Sequence, residues 1–315
     1  MRFGKISIET FLNEIPHESC VVCPGVGEDD AYIESQGKYL VIHSDPITEA
    51  GQDAGFLSVT VACNDVNMKG IPCKWVTTVL LLKSEDSLRP VLNGISEACR
   101  LLKCDVIGGH TEVTQGLNRD IVVTTAFSFS DRVLKVSDSQ SGDYVLVFGT
   151  AGIEGSWILA NEFEGELLRR GVSRKTINSA KGFKYLIPVQ EKAIKVKDYV
   201  IAMHDATEGG IYQALLEVAK ASGLTLKVDY EIPVAEETLE ISRAMGVNPY
   251  QLISSGSFIA VARGEENIEK LKSLGGKVIG KLKGEGPKLV IKDKVYTEDF
   301  EEELVRVESG HYGRG

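Results

Sequence analysis

The chain has 315 residues, 43% of them apolar and 25% charged, and its 35 basic against 45 acidic residues give a formal net charge of −10. That length exceeds what one hydrophobic core usually accommodates, so two domains are expected. The acidic balance excludes a general nucleic-acid binder or a membrane-surface protein, both of which need a basic face, but leaves anionic ligands open if backbone N–H groups or a divalent cation neutralise them.

The first segment, MRFGKISIETFLNEIP, has neither a long apolar core nor a small-residue cleavage site, and no apolar run approaches a membrane span. A cytoplasmic protein without a membrane partner is expected. Of the six cysteines, Cys20-Val-Val-Cys23 forms half of a zinc or redox signature. Neither Cys63/Cys73 nor Cys99/Cys104 has the spacing of the second pair that a structural zinc needs, so buried thiols of a reducing compartment are the expectation.

In chain order, Lys38–His43 (KYLVIH) predicts a strand running into Ser44-Asp45-Pro46. Residues 56–69 are ambiguous: rich in β-branched side chains, yet long and closed by Gly70 and Pro72 in a helix-stop pattern. Residues 74–82 predict a buried strand. Leu88, Val91, Leu92, Ile95, Cys99 and Leu102 recur at helical spacing over residues 88–102. Residues 104–109 predict a short strand ending in two glycines, and residues 120–129 another strand.

The polar stretch SDSQSGD (137–143) breaks the pattern and marks a boundary between an N-terminal domain, 1–136, and a C-terminal domain, 137–315. Beyond it come a strand at 144–148, a glycine-dotted turn and a helix from Ser156. A helix over 209–221 follows Asp205-x-x-Glu208, which has the form of a capping box. A helix near 265–274 and two or three strands between Val278 and Tyr296 complete the series. Strands and helices alternate without strict βαβ units, so the expected class is mixed α/β, or α+β.

Three carboxylates stand in a row in GVGEDDA (25–31), at Glu28, Asp29 and Asp30. Asp45 falls near a strand end, Asn64-Asp65 interrupts the apolar VACNDVNMKG, and His110-Thr111-Glu112 follows Gly108-Gly109. Charges in such places are costly unless paired or metal-bound, and strand ends are where α/β sheets build ligand sites. Carboxylates drawn together raise each other's pKa unless a hard cation such as Mg2+ lies between them. Each element has a plainer reading: a solvated turn at 28–30, a turn starter at Asp45-Pro46, a strand terminator at Gly108-Gly109 and a structural histidine at His110. Their order and spacing together carry the signal.

On those residues the sequence resembles the superfamily that groups aminoimidazole ribonucleotide (AIR) synthetase, selenophosphate synthetase, thiamine-monophosphate kinase and the hydrogenase-maturation factor HypE. GVGEDDA matches its G-x-G-D-D-A stretch with Glu28 inserted, and Ser44-Asp45 matches its [ST]-D strand end. Asn64-Asp65 with Gly70 and Pro72 approximates its N-D-x-x-x-x-G-x-x-P pattern, and Gly108-Gly109-His110-Thr111 its G-G-x-[ST] turn. Ser141-Gly142-Asp143 with Gly149, Gly152 and Gly155 resembles the opening of its second domain. MHDATEGG (203–210) resembles the M-R-D-P-T-R-G-G of HypE, the nearest branch.

The resemblance implies a two-domain AIR synthetase-like fold whose N-terminal strands form a shared barrel in a homodimer. It implies ATP and Mg2+ as cofactors, with Asp30, Asp45 and Asp65 as metal ligands and Gly25, Gly27, Asp29, Asn64, Gly109 and Thr111 binding ATP. Asp205 and Thr207 would be catalytic, at the start of a helix whose N–H groups favour an anion. The implied reaction is phosphoryl transfer to an oxygen, of an amide or similar group, on an unidentified small-molecule or protein-borne substrate. Such catalysis is mostly charge neutralisation and alignment. The last cysteine is Cys104, so HypE's dehydration of a group on its own C-terminal cysteine is not expected here. That departure keeps an alternative open, a low-turnover nucleotide-binding partner of another maturation factor.

Overall fold

A computed structural model describes residues 21–22, 26–27, 30–48, 50–284 and 286–312. It divides into two units, one built on residues 30–133 and one on residues 134–312, with Gly27 belonging to the second. The fold is mixed α/β, as expected, with a sheet in each unit.

In the first unit, β1 (Ala31–Ser35) and β2 (Lys38–Ile47) form a hairpin, and the sheet order is β1-β2-β5-β3-β4. β3 (Trp75–Leu82) pairs in parallel with β4 (Asp105–Val113) and antiparallel with β5 (Ile121–Ser130). The parallel pair requires a crossover, which α2 (Leu88–Leu102) supplies. The ambiguous segment is helical: α1 (Ala54–Asn67) is buried at every position, so its β-branched residues meet apolar neighbours on all sides rather than a pleated surface. Along β3 the even-numbered residues are buried and the odd-numbered ones half-exposed, the signature of a sheet covered by helices on one face.

Two strands run further than their sequence suggests. β2 continues through Asp45 and Pro46 to Ile47, because beyond Ile42 it pairs with β5 but no longer with β1. A proline is tolerated on such an edge. β4 continues through Gly108-Gly109 to Val113, so the glycines lie within the strand instead of ending it.

The second unit is a seven-stranded sheet in the order β12-β11-β8-β10-β6-β9-β7. Its strands are β6 (Tyr144–Phe148), β7 (Ala202–Asp205), β8 (Thr225–Val228), β9 (Phe258–Ala262), β10 (Lys277–Lys283), β11 (Lys288–Ile291) and β12 (Lys294–Tyr296). Ile211, Leu215 and Val218 of α7 (Gly210–Ser222) pack with Val145, Ile259 and Ile279 of the sheet. A second cluster joins α3 (Ile153–Glu162), α4 (Glu164–Arg169), α5 (Arg174–Lys181) and α8 (Glu236–Met245) through Leu159, Leu167, Ile177 and Ile241. α6 (Gln190–Val196), α9 (Glu265–Ser273) and α10 (Glu303–Tyr312) complete the helices among the described residues. α3 begins at Ile153, three residues before the expected start, because left-handed Gly152 already turns the chain into it. No helix among the described residues is long and apolar enough to cross a membrane.

Candidate functional site

β2 and α1 build an acidic cluster in the first unit. His43 and Asp45 are two apart on a strand and therefore project from the same face, the face on which Val41 is buried. α1 packs on that face and adds Asp65. One ligand atom each from His43, Asp45 and Asp65 lie within 4.8 Å of one another. The His43 Nε2 to Asp65 Oδ2 distance is 3.5 Å. Asp30 directly precedes β1, and extending the Ala31–Ile42 register by one step sets it opposite His43, with only 3% of its surface exposed.

A row of residues continues across the same face. Asp45 pairs with Thr124 of β5, Thr124 with Thr78 of β3, and Thr78 with Gly109 of β4. The Thr124 hydroxyl is fully buried and has no hydrogen-bond partner among the described residues. Thr111, paired with Leu80, lies on this face too. Three strand spacings separate β2 from β4, roughly 14 Å, so Gly109 and Thr111 are too distant to share a cation with Asp45. A Cβ at Gly109 would sit 2.0 Å from the Thr78 carbonyl oxygen, and its φ of +148° also favours glycine. His110 projects from the other face, exposed, with Nε2 3.2 Å from Glu112 Oε2. Asn64 is buried on α1 beside Asp65.

The donor set suits a divalent cation of the Mg2+ class: two carboxylates, with the buried Thr124 hydroxyl as cross-strand neighbour. The imidazole broadens the fit toward Mn2+. Gly25 and Asp29 lie outside the described residues. A Cβ at Gly27 would come within 2.8 Å of the Glu217 carbonyl oxygen of α7, so close approach to this helix itself requires a glycine there.

In the second unit, Asp205 is the last residue of β7 and buried, while Thr207 is half-buried in the turn before α7. The expected capping box is absent: the N-cap is left-handed Gly209, and no side chain of its own caps the helix. The acceptor comes instead from far along the chain. Glu302 Oε2 accepts the Gly209 N–H at 2.7 Å, and its Oε1 accepts the Ile253 and Leu304 N–H groups at 3.0 and 2.9 Å. Burial pushes the Glu302 carboxyl up to about 7, against the three amides that favour its charged form and with the help of nearby Glu208. Next to Asp205, His204 Nε2 lies 2.8 Å from Glu217 Oε2, both side chains largely enclosed.

Sequence reasoning missed His43, Thr124 and Glu302. His43 was accessible to it, because two-residue alternation from Asp45 points to it. Thr124 and Glu302 reach their places through strand register and chain return, which no local pattern signals.

Residues 27–128 match the N-terminal domain, and residues 140–292 the C-terminal domain, of the family described as AIR synthase related protein. The chain belongs to this AIR synthase-related family. It is similar to a Methanocaldococcus jannaschii protein provisionally named for hydrogenase expression/formation, 27% identical over 266 residues, or 81% of this chain and 77% of that one. It is also similar to the thiamine-monophosphate kinase of Methanopyrus kandleri, 24% identical over 297 residues, or 90% of this chain and 91% of that one. Among solved structures, the hydrogenase maturation protein HypE in complex with ATP superposes with a TM-score of 0.67 at 20% identity, covering 85% of this chain and 87% of that one. This last likeness bears on the fold alone.

Proposed function

We propose that the protein is an ATP- and Mg2+-dependent phosphoryl-transfer enzyme that activates an oxygen, of an amide or a similar group, on a small-molecule or protein-borne substrate. The observation that carries the reading is the convergence of His43, Asp45 and Asp65 within 4.8 Å beside a buried threonine hydroxyl with no hydrogen-bond partner among the described residues. Asp45 and Asp65 would hold the cation, with Asp30, opposite His43 by extension of the β1–β2 register, as a further proposed ligand. The cation, when bound, supplies the positive charge that neutralises the nucleotide phosphates. Asn64, Gly27, Gly109 and Thr111, with Gly25 and Asp29, are proposed to bind ATP. Asp205 and Thr207 are proposed to act on the acceptor substrate.

ADP release and Mg2+–ATP binding, compared between wild type and the Asp45→Asn and Asp65→Asn variants, test the assignment. Each variant is expected to lose turnover by about 100-fold or more, the scale of removing one charge-stabilising group. Equal Mg2+–ATP binding by all three proteins would defeat it.

The Glu302 contact favours a second reading, a low-turnover nucleotide-binding partner of another maturation factor. That carboxylate takes the Gly209 amide at the helix end where an anionic substrate group was expected. Brisk turnover by the isolated protein excludes it. We also propose that the chain forms a homodimer through the sheet face opposite α1 and α2. Trp75, Val79 and Phe127 are half-exposed there and Phe129 is 44% exposed, a patch that two-fold pairing would cover. Sedimentation at micromolar concentration decides, a monomer being the refuting result.

A further inference from the structure

In the second unit, the segment between β12 and α10 lies across the start of α7. The loop from β7 into α7 passes through Gly209 and Gly210, both left-handed, and a Cβ on Gly210 would lie 2.5 Å from the Tyr250 carbonyl oxygen and 2.7 Å from that of Leu252. That close approach brings a second loop, residues 249–257, against the helix start, and its Ser254 N–H donates to the Thr207 carbonyl at 3.3 Å. The Gly209 and Ile253 N–H groups come from these two separate loops and point at one place. Both are accepted by the Glu302 carboxylate.

Glu302 belongs to a strap fixed at both ends. Ahead of it, Asp299 Oδ1 accepts from Lys220 Nζ at 3.0 Å and from Gln213 Nε2 at 3.2 Å, and the Phe300 N–H donates to Gln213 Oε1 at 2.9 Å. The Phe300 ring rests on Tyr212 and Tyr296, with centroids 5.4 and 5.1 Å away. Behind it, Leu304 is buried with Ile241 and Leu252 and anchors the start of α10. Between the anchors Glu301 is exposed and Glu302 half-buried, so this stretch lies at the surface, where Glu302 can leave the amides while Leu304 stays packed. Burial pushes the Glu302 carboxyl up to about 7, so it is held as an anion at a net cost despite its three amides.

We propose that the Gly209 and Ile253 amides at the start of α7 form a subsite for a carboxylate group of the acceptor, and that the Asp299–Leu304 strap keeps it filled with the chain's own Glu302 until that group displaces it. The inference rests on the reading of Asp205 and Thr207 as the residues that act on the acceptor, and it adds the acceptor's class, a carboxylate-bearing molecule. The Glu302 side chain displays the ligand chemistry. Its two oxygens divide over the two loops, Oε2 to Gly209 at 2.7 Å and Oε1 to Ile253 at 3.0 Å, which matches a planar group with two acceptor atoms. The third amide, Leu304 at 2.9 Å, belongs to the strap's own helix and not to the loops. Thr207, half-buried in the same turn, and the positive end of the 13-residue α7 add to the pull on an incoming anion. Displacement exchanges one carboxylate for another and returns Glu302 to water, so the two amides are never left bare.

The test uses the full chain carrying Glu302→Ala, with sodium formate as the probe and inorganic phosphate and chloride at equal ionic strength as the other arms. Formate should give a saturable rise in melting temperature in Glu302→Ala and none in wild type, and chloride none in either. Neither nucleotide nor divalent cation is present, so failure here strikes the strap alone, whereas failure of Mg2+–ATP binding strikes the phosphoryl-transfer reading. Phosphate stabilising the variant more than formate does overturns the carboxylate assignment, and equal responses of variant and wild type overturn the subsite. Where Glu302→Ala does not fold, Asp299→Ala loosens the strap from its far end. Amide hydrogen exchange at Gly209 and Ile253 should then quicken by at least ~10-fold, the scale of one hydrogen bond to a charged group, and slow again in formate. Unchanged exchange, or quickened exchange that formate does not slow, overturns the proposal.

Discussion

The acidic cluster of the first unit and the start of α7 in the second pose opposite electrostatic problems. At the cluster, Asp45 and Asp65 come within 4.8 Å of each other and of His43, and one imidazole carries at most one positive charge against two carboxylates. At α7, the helix end presents amide donors, and the chain supplies the acceptor itself through Glu302. A local sequence pattern drew attention to both places. The first gathers two carboxylates and an imidazole from separate elements, the arrangement proposed above to hold a cation. The second is closed by a residue nearly a hundred positions away, so a helix N-terminus read from sequence is not yet an anion site.

The largest expected effect separates the two. Saturating Mg2+–ATP at about 1,000 times Kd should stabilise wild type by roughly 4.1 kcal/mol, and this should vanish in Asp65→Asn while persisting in Glu302→Gln. A thermal-shift titration measures it; persistence in Asp65→Asn would move the nucleotide away from this cluster.

Glu302 provides the next. Its folded pKa of about 7 lies above the ordinary 4.5, so its contribution to stability is fully present below pH 4.5 and is lost as pH rises through 7. Over that interval wild type should lose roughly 3 kcal/mol relative to Glu302→Gln. Chemical denaturation at pH 4.5 and pH 8 reads the difference, and parallel profiles would show that the carboxyl is not held in this state.

Smaller effects sharpen the first region. Thr124→Val replaces a buried hydroxyl that has no partner among the described residues, so without cation the variant should be as stable as wild type or gain about 1 kcal/mol. Its Mg2+ or Mn2+ affinity should fall severalfold by calorimetry; unchanged affinity would remove Thr124 from the site. His110→Ala should alter neither melting temperature nor nucleotide binding, because its side chain is exposed on the opposite face of the sheet. Loss of nucleotide binding in this variant would extend the site around the β4 edge.

Much of the architecture was legible in the residues. The helical spacing of residues 88–102 marks α2 to the residue, and the β-branched runs mark β3 and β5 to within one position. Residues 56–69 resisted, because β-branched side chains suit a strand unless tertiary burial surrounds the segment, as it does α1. Asp45 and Asp65 were recognisable from their motifs, and the structure brings them together.

The sequence by itself determined the alternation of elements, the family pattern and the acidic character of the conspicuous motifs, all of which reside in neighbours along the chain. Tertiary structure alone decided that His43 joins Asp45 and Asp65, that Thr124 stands across from Asp45, and that Glu302 caps α7. Each of these depends on strand register or helix packing between residues distant in sequence. Side-chain periodicity sets which face of an element a residue occupies, but not which residue of another element it will meet.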